Sequence, residues 1–126
     1  MGDAGRNDEY HSLEKLAQDA GVPVGYLSVG ETLRCGEVML TCLHPEKDWK
    51  ESEPNVYSTV LYLTYGNFTA LFTGDLEGKG EGLVQERISA ILPRKGITLL
   101  KVAHHGSKNS TGVDFLQTVN PRIALI

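Results

Sequence analysis

Asp75, His104 and His105 are the residues of this chain best placed to do chemistry. Asp75 follows the apolar run Phe68–Phe72 through Thr73 and Gly74, and the two histidines follow the run at 97–103 and precede Gly106 and Ser107. Runs this rich in Leu, Ile, Val and Phe, with glycine and polar residues at their ends, read as buried strands. A carboxylate and imidazoles delivered from neighbouring strand tips can converge on one point, and such oxygen and nitrogen donors suit zinc, manganese or iron better than calcium. Asp75, His104 and His105 are therefore candidate metal ligands. Adjacent residues on an extended chain point to opposite faces. One of the two histidines is thus expected to aim at the Asp75 point while the other fixes the loop.

Around these residues lie polar groups with two readings each. Ser107, Lys108 and Ser110 could donate to a phosphate oxygen, and surface polarity alone would also explain them. Asn55 and Ser58 could orient the loop beside the site, or form an Asx-type turn before a strand. His44, before Pro45, reads as a hydrogen-bonded turn residue, since a neutral imidazole readily donates to a carbonyl. His11 reads as a solvated residue in the first turn of a helix. Ser107 lacks the Gly-x-Ser-x-Gly elbow of a serine hydrolase.

The elements that must position these groups follow from periodicity. Tyr10, Leu13, Leu16, Ala17 and Ala20 recur at helical spacing, giving an amphipathic helix at 9–20 that Gly21 and Pro23 end. Short strands are expected at 24–29 and at 37–44, the latter with Val38, Leu40 and Cys42 on one side and Met39 and Leu43 on the other, so buried on both faces. The polar stretch at 46–57, with the only tryptophan at 49, is an aperiodic loop. Strands at 59–65 and Phe68–Phe72 around Gly66-Asn67 make a hairpin. A helix at 83–92 with Leu83, Ile88, Ile91 and Leu92 inward, a strand from Ile97, a short helix at Val113–Val119 and a final strand at 122–126 complete the order. The last apolar run reaches Ile126, which reads as a chain cut in mid-strand.

A chain of 126 residues with a net charge of −4 is one domain or part of one, without the basic footprint of a protein that grips nucleic acid through phosphates alone. A metal could still supply positive charge locally. Cys35 and Cys42 match neither a zinc spacing nor a disulfide framework and are expected as free, packed thiols. No apolar run is long enough for a membrane span and the N-terminus carries no signal pattern, so the chain as given is expected to be soluble.

Three segments carry a resemblance. They are Asn55-x-x-Ser58-x-Val60-Leu61, the stretch from Leu71 through Thr73-Gly74-Asp75-Leu76-Glu77 with Glu81 following, and the stretch from Leu100 through Ala103-His104-His105-Gly106-Ser107-Lys108-x-Ser110, with Phe115-Leu116 and Asn120-Pro121 beyond. In this order they resemble the C-terminal half of the metallo-β-lactamase superfamily, and within it the hydrolase-like domain of the ComEC/Rec2 competence proteins. The resemblance implies an α/β fold, a partial αββα sandwich with a mixed sheet of five or six strands and flanking helices. Residues 1–126 would be the C-terminal portion of that domain, truncated at both ends, with the bare sheet face open to homodimerisation.

It also implies a metal-dependent phosphodiesterase acting on a DNA strand during uptake. In the family a metal-bound hydroxide attacks, with zinc or manganese as the cofactor of the complete domain. Asp75 would bridge or bind metal, and His104 or His105 would serve as ligand or phosphate contact. The parent would be a bacterial integral membrane protein whose membrane part does not involve this segment. The family's His-x-His-x-Asp-His cluster is absent from the sequence, so this polypeptide alone is expected to bind metal weakly and to hydrolyse nothing. A free-standing hydrolase of small phosphoesters and a metal-free binding module of the same fold are the competing readings.

Overall fold

The computed structural model describes residues 8–48 and 54–126. Its sheet grows in chain order. Strands β1 (Thr32–Cys35), β2 (Val38–His44), β3 (Val60–Tyr65) and β4 (Phe68–Phe72) form an antiparallel meander. Strands β5 (Leu99–Lys101) and β6 (Ile123–Leu125) then add in parallel, giving six strands in the order β1-β2-β3-β4-β5-β6. A parallel neighbour needs a crossover connection, where an antiparallel one needs only a turn. The pairing accordingly changes where the connections become helical, with α2 (Lys79–Ser89) between β4 and β5 and α3 (Val113–Val119) between β5 and β6. With α1 (Asp8–Asp19) this is a mixed α/β architecture. The β3–β4 hairpin turns on Gly66-Asn67, with Tyr65 opposite Phe68, as the sequence predicts.

The core lies on one side of the sheet. Val60, Tyr62, Leu71 and Leu100 point toward Val84 and Ile88 of α2 and Phe115 and Val119 of α3, all buried. Residues opposite one another in a ladder share a face, so the register Leu61↔Phe72, Tyr65↔Phe68 and Lys101↔Leu125 assigns the other side. There Leu33, Tyr65, Phe68, Phe72, Ile123 and Leu125 remain exposed. Helix α1 adds no cover for its own stripe: Leu13 and Leu16 are 64% and 62% exposed. Among the described residues, no helix is long and apolar enough to cross a membrane.

Several sequence expectations need correction. Residues 24–28 are irregular, and the first strand is instead Thr32–Cys35, which pairs with β2 across Gly36-Glu37. Strand β2 is not buried along its length: Val38 to Thr41 are half-buried beside the exposed β1, and Cys42, Leu43 and His44 alone are buried. Helix α2 starts at Lys79, and its inward stripe is Gly80, Val84 and Ile88, while Ile91 is exposed. Gly80 explains the early start, because a Cβ there would meet Leu76 Cδ1 at 2.7 Å and the Val56 carbonyl oxygen at 3.2 Å, so the helix packs down at its first turn. Both cysteines are free, but Cys35 is exposed. Trp49 lies outside the described residues, and Pro54–Tyr57 forms a single 3-10 turn.

Gly96, in the turn between α2 and β5, shows how tightly the helical side closes. Its φ is +76°, and a Cβ would lie 2.0 Å from the carbonyl oxygen of Asn120. The adjoining backbone is knitted by Ile97 N–H donating to Val119 O at 3.3 Å and Arg122 N–H donating to Ile97 O at 3.0 Å. Gly96→Ala combines left-handed strain with a backbone collision. It is expected to cost about 2–4 kcal/mol, checked by urea unfolding beside wild type; a loss below about 0.5 kcal/mol, ordinary for an innocuous surface change, would contradict the packing described.

Candidate functional site

The two chemistry-bearing segments meet because β4 and β5 are parallel neighbours, with Phe72 in register with Lys101. Both chains therefore leave the sheet at the same end. Two bonds hold the departing segments together and a third ties them to Ser58, ahead of β3. Buried Thr73 donates its hydroxyl to Lys101 O at 2.6 Å, His104 N–H donates to Gly74 O at 3.0 Å, and Asp75 N–H donates to Ser58 Oγ at 3.0 Å. Gly74 is required at this crossing: its φ is +54°, and a Cβ would stand 3.3 Å from Ser58 Cβ.

The histidines are not on an extended chain. His104 (φ 45°, ψ 48°) and His105 (φ 53°, ψ 28°) both adopt left-handed backbone, and Gly106 follows at φ 79°. This corrects the expectation of opposed side chains, because a left-handed turn does not alternate its faces as a strand does. His104 Nδ1 lies 2.5 Å from Glu77 Oε1, and His105 Nε2 lies 4.0 Å from Asp75 Oδ1. The rings, 6.3 Å apart between centroids, thus face a pair of carboxylates two residues apart. His105 is the histidine nearest Asp75, while His104 is engaged by Glu77.

Glu77 is the site residue that sequence reasoning missed. It was visible only as a second acid after Asp75, and nothing in the spacing distinguished it from an ordinary surface carboxylate. Its other oxygen receives Asn55 Nδ2 at 3.4 Å. The hydrogen bond to His104 holds the Glu77 carboxyl below the usual range, and the same bond to Glu77 raises the His104 imidazole.

Two of the remaining candidates, Ser58 and Ser110, are engaged with backbone groups. Ser110 is buried, its hydroxyl directed at the carbonyls of Ala103 (3.0 Å) and Ser107 (3.1 Å). Ser58 receives the Asp75 amide, and Lys108 is exposed. Glu81, one turn into α2, accepts the amides of Thr111 and Gly112 at 2.7 Å each and so fixes the loop that returns from the histidines. His44 belongs to the core: Nε2 donates to Val56 O at 2.5 Å, and burial lowers its pKa. His11 is exposed, its Nδ1 3.7 Å from Glu14 on the same helix.

As a metal site the donors fit in part. Around a tetrahedral ion with bonds of about 2.0–2.1 Å, two donors stand about 3.4 Å apart; the Asp75 to His105 spacing of 4.0 Å is therefore a small side-chain adjustment from shared ligation. Among the described residues, however, no group of three or more His, Cys, Asp or Glu is assembled for an ion.

The Glu77–His104 pair sets a pH dependence for the metal-free chain. The raised imidazole contributes stability that is complete below its ordinary value of 6.5 and is lost as pH rises through the folded value. The depressed carboxyl contributes stability that is complete above 4.5 and is lost as pH falls through its folded value. The stability gap between wild type and Glu77→Gln should therefore be widest at about pH 4.5–6.5 and narrow on both sides, shrinking with added salt because the pair is partly exposed. Thermal melts across pH check this; a flat gap would remove the ion pair.

No protein-family model matches the chain. Among curated proteins, it is 34% identical over 112 residues to ComE operon protein 3 of Bacillus subtilis (strain 168), a match covering 89% of this chain and 14% of that protein. It is 36% identical over 72 residues to Recombination protein 2 of Haemophilus influenzae, covering 57% of this chain and 8% of that protein. It is 37% identical over 71 residues to the uncharacterized protein YcaI of Escherichia coli (strain K12), covering 56% and 9%. The chain thus spans 14% or less of the length of these relatives, and it is related in sequence to a short segment of ComE operon protein 3 and of Recombination protein 2.

Proposed function

We propose that this chain is the C-terminal portion of a metallo-β-lactamase-like domain in a ComEC/Rec2-type competence protein, and that the complete domain is a metal-dependent phosphodiesterase acting on a DNA strand during uptake. The observation that carries this reading is the 4.0 Å approach of His105 to Asp75, with His104 fixed alongside, at the ends of adjacent parallel strands. The kinship with segments of ComE operon protein 3 and Recombination protein 2 supports the competence assignment. A metal-free binding module predicts either that both imidazoles turn away from Asp75 or that no upstream ligand cluster exists, and the approach of His105 to Asp75 speaks against the first of these. A free-standing hydrolase of small phosphoesters is a weaker reading, given that the relatives are far longer than this chain.

In this reading Asp75, His104 and His105 supply part of the ligand set for zinc or manganese, and the remainder comes from residues beyond this sequence. A bound divalent cation supplies Lewis-acid activation of water and neutralises charge on a phosphoryl oxygen. The chain's own residues do the positioning. Ser58 holds the Asp75 backbone, Glu77 holds His104, and Glu81 holds the loop that carries Lys108, the exposed cation available to a phosphate. Within the full-length protein, Asp75→Ala is expected to lower zinc or manganese affinity and phosphodiesterase activity by at least about tenfold, since even outer-shell changes cost 10–100-fold. Equal activity in the two proteins would remove Asp75 from the mechanism.

The sheet face on which Leu33, Tyr65, Phe68, Phe72, Ile123 and Leu125 are exposed is the surface that the other layer of such a sandwich would cover. In the isolated 126-residue chain we propose that a second copy covers it, because contiguous apolar surface of this kind associates and the face carries little charge to oppose a like face. Sedimentation velocity should show dimer, and Phe68→Lys combined with Ile123→Lys should shift it to monomer. A wild-type chain that stays monomeric at every concentration would refute this.

A further inference from the structure

The left-handed His104 backbone is costly for a residue with a Cβ, and strain of this kind persists only where surrounding contacts over-determine it. The contacts on His104 come from two directions. Its backbone N–H is held by Gly74 O at 3.0 Å, and its ring is held by Glu77 at 2.5 Å from Nδ1. Glu77 is itself held by Asn55 Nδ2 at 3.4 Å. Asn55, whose amide could have met a substrate, thus spends it on this carboxylate, and the carboxylate spends its shortest bond on one imidazole nitrogen.

A carboxylate accepts and cannot donate, so the nitrogen facing it must carry the proton. We propose that Glu77 is a positioning residue that keeps the His104 proton on Nδ1, leaving Nε2 as the ring's lone-pair donor, with Asn55 acting through Glu77. Free imidazoles in water favour the opposite tautomer, so the arrangement has to be imposed. A histidine that ligates a metal through one nitrogen has its tautomer and orientation set by the partner of the other. The benefit to metal binding rests on the function proposed above; the tautomer does not.

The test separates the two. Long-range proton–nitrogen NMR on the metal-free 126-residue chain, above the pH range where imidazoles titrate, reads the His104 tautomer directly. Wild type should show the proton on Nδ1, and Glu77→Ala should move it to Nε2. Zinc titrated into the same proteins against a chelating dye should bind Glu77→Ala 10–100-fold more weakly than wild type. Glu77→Gln keeps the side-chain volume and serves if the alanine variant does not fold; it too should raise the Nε2-protonated fraction above wild type. An unchanged His104 tautomer in the folded variant would overturn the proposal. If the tautomer moves while wild type binds no zinc, Glu77 keeps its role and the benefit to metal binding falls for the isolated chain, whose donors are only part of the proposed ligand set. If wild type and Glu77→Ala bind zinc equally, the metal reading stands and the benefit assigned to Glu77 falls.

Discussion

The pairing of β4 with β5 is the constraint on which the site depends. It is short, in register from Ala70↔Leu99 to Phe72↔Lys101, and it lies over fully buried Leu71 and Leu100. Because the strands are parallel, their carboxyl ends emerge together. A residue two or three positions past one tip can then approach its counterpart past the other. An antiparallel neighbour in the same place would send the Gly-Asp and His-His segments to opposite ends of the sheet. The helices matter to the chemistry mainly because they make this parallel pairing possible and bury one face of it.

Beyond the tips, local geometry turns proximity into a site. Thr73, Gly74 and Ser58 lock the Asp75 segment by backbone and hydroxyl bonds, so Asp75 begins from a fixed amide. The His104-His105-Gly106 turn uses consecutive positive φ angles to bring two imidazoles to the same pair of acids. Such strain in non-glycine residues marks places where the fold gives up local comfort for arrangement.

Much of this was legible in the sequence, for identifiable reasons. Short apolar and aromatic runs ending at Gly66-Asn67, Thr73-Gly74 and His104 located β3, β4 and the tip of β5, because such runs broken by glycine and polar residues have few other interpretations. The convergence of Asp75 with a histidine followed from placing both at strand tips. What escaped was set by tertiary contacts. Residues 24–28 have strand-like composition but no ladder partner, and composition cannot supply one. The inward stripe of α2 was read correctly at Ile88 and Leu92 but missed its start at Gly80, a residue with no hydrophobic signature, buried by its fit against Leu76 and Val56. Glu77 was hidden because its importance lies in a contact 27 residues away in sequence.

The charge pattern narrows how a phosphodiester could be met here. The acids Asp75, Glu77 and Glu81 crowd the end of the sheet where the histidines sit, and the chain as a whole carries −4. Backbone amides opening a helix are a ready anion site, yet those of Thr111 and Gly112, ahead of α3, are occupied by the Glu81 carboxylate. Glu81 therefore both fixes the loop and withdraws that surface from phosphate. A polyanion approaching this end of the sheet would meet repulsion from three carboxylates with Lys108 as the exposed offset in the loop, unless a cation were bound among them. In the function proposed above a cation held at Asp75 and the histidines would offset that repulsion, while Glu77 and Glu81 stay engaged with His104 and with the loop amides.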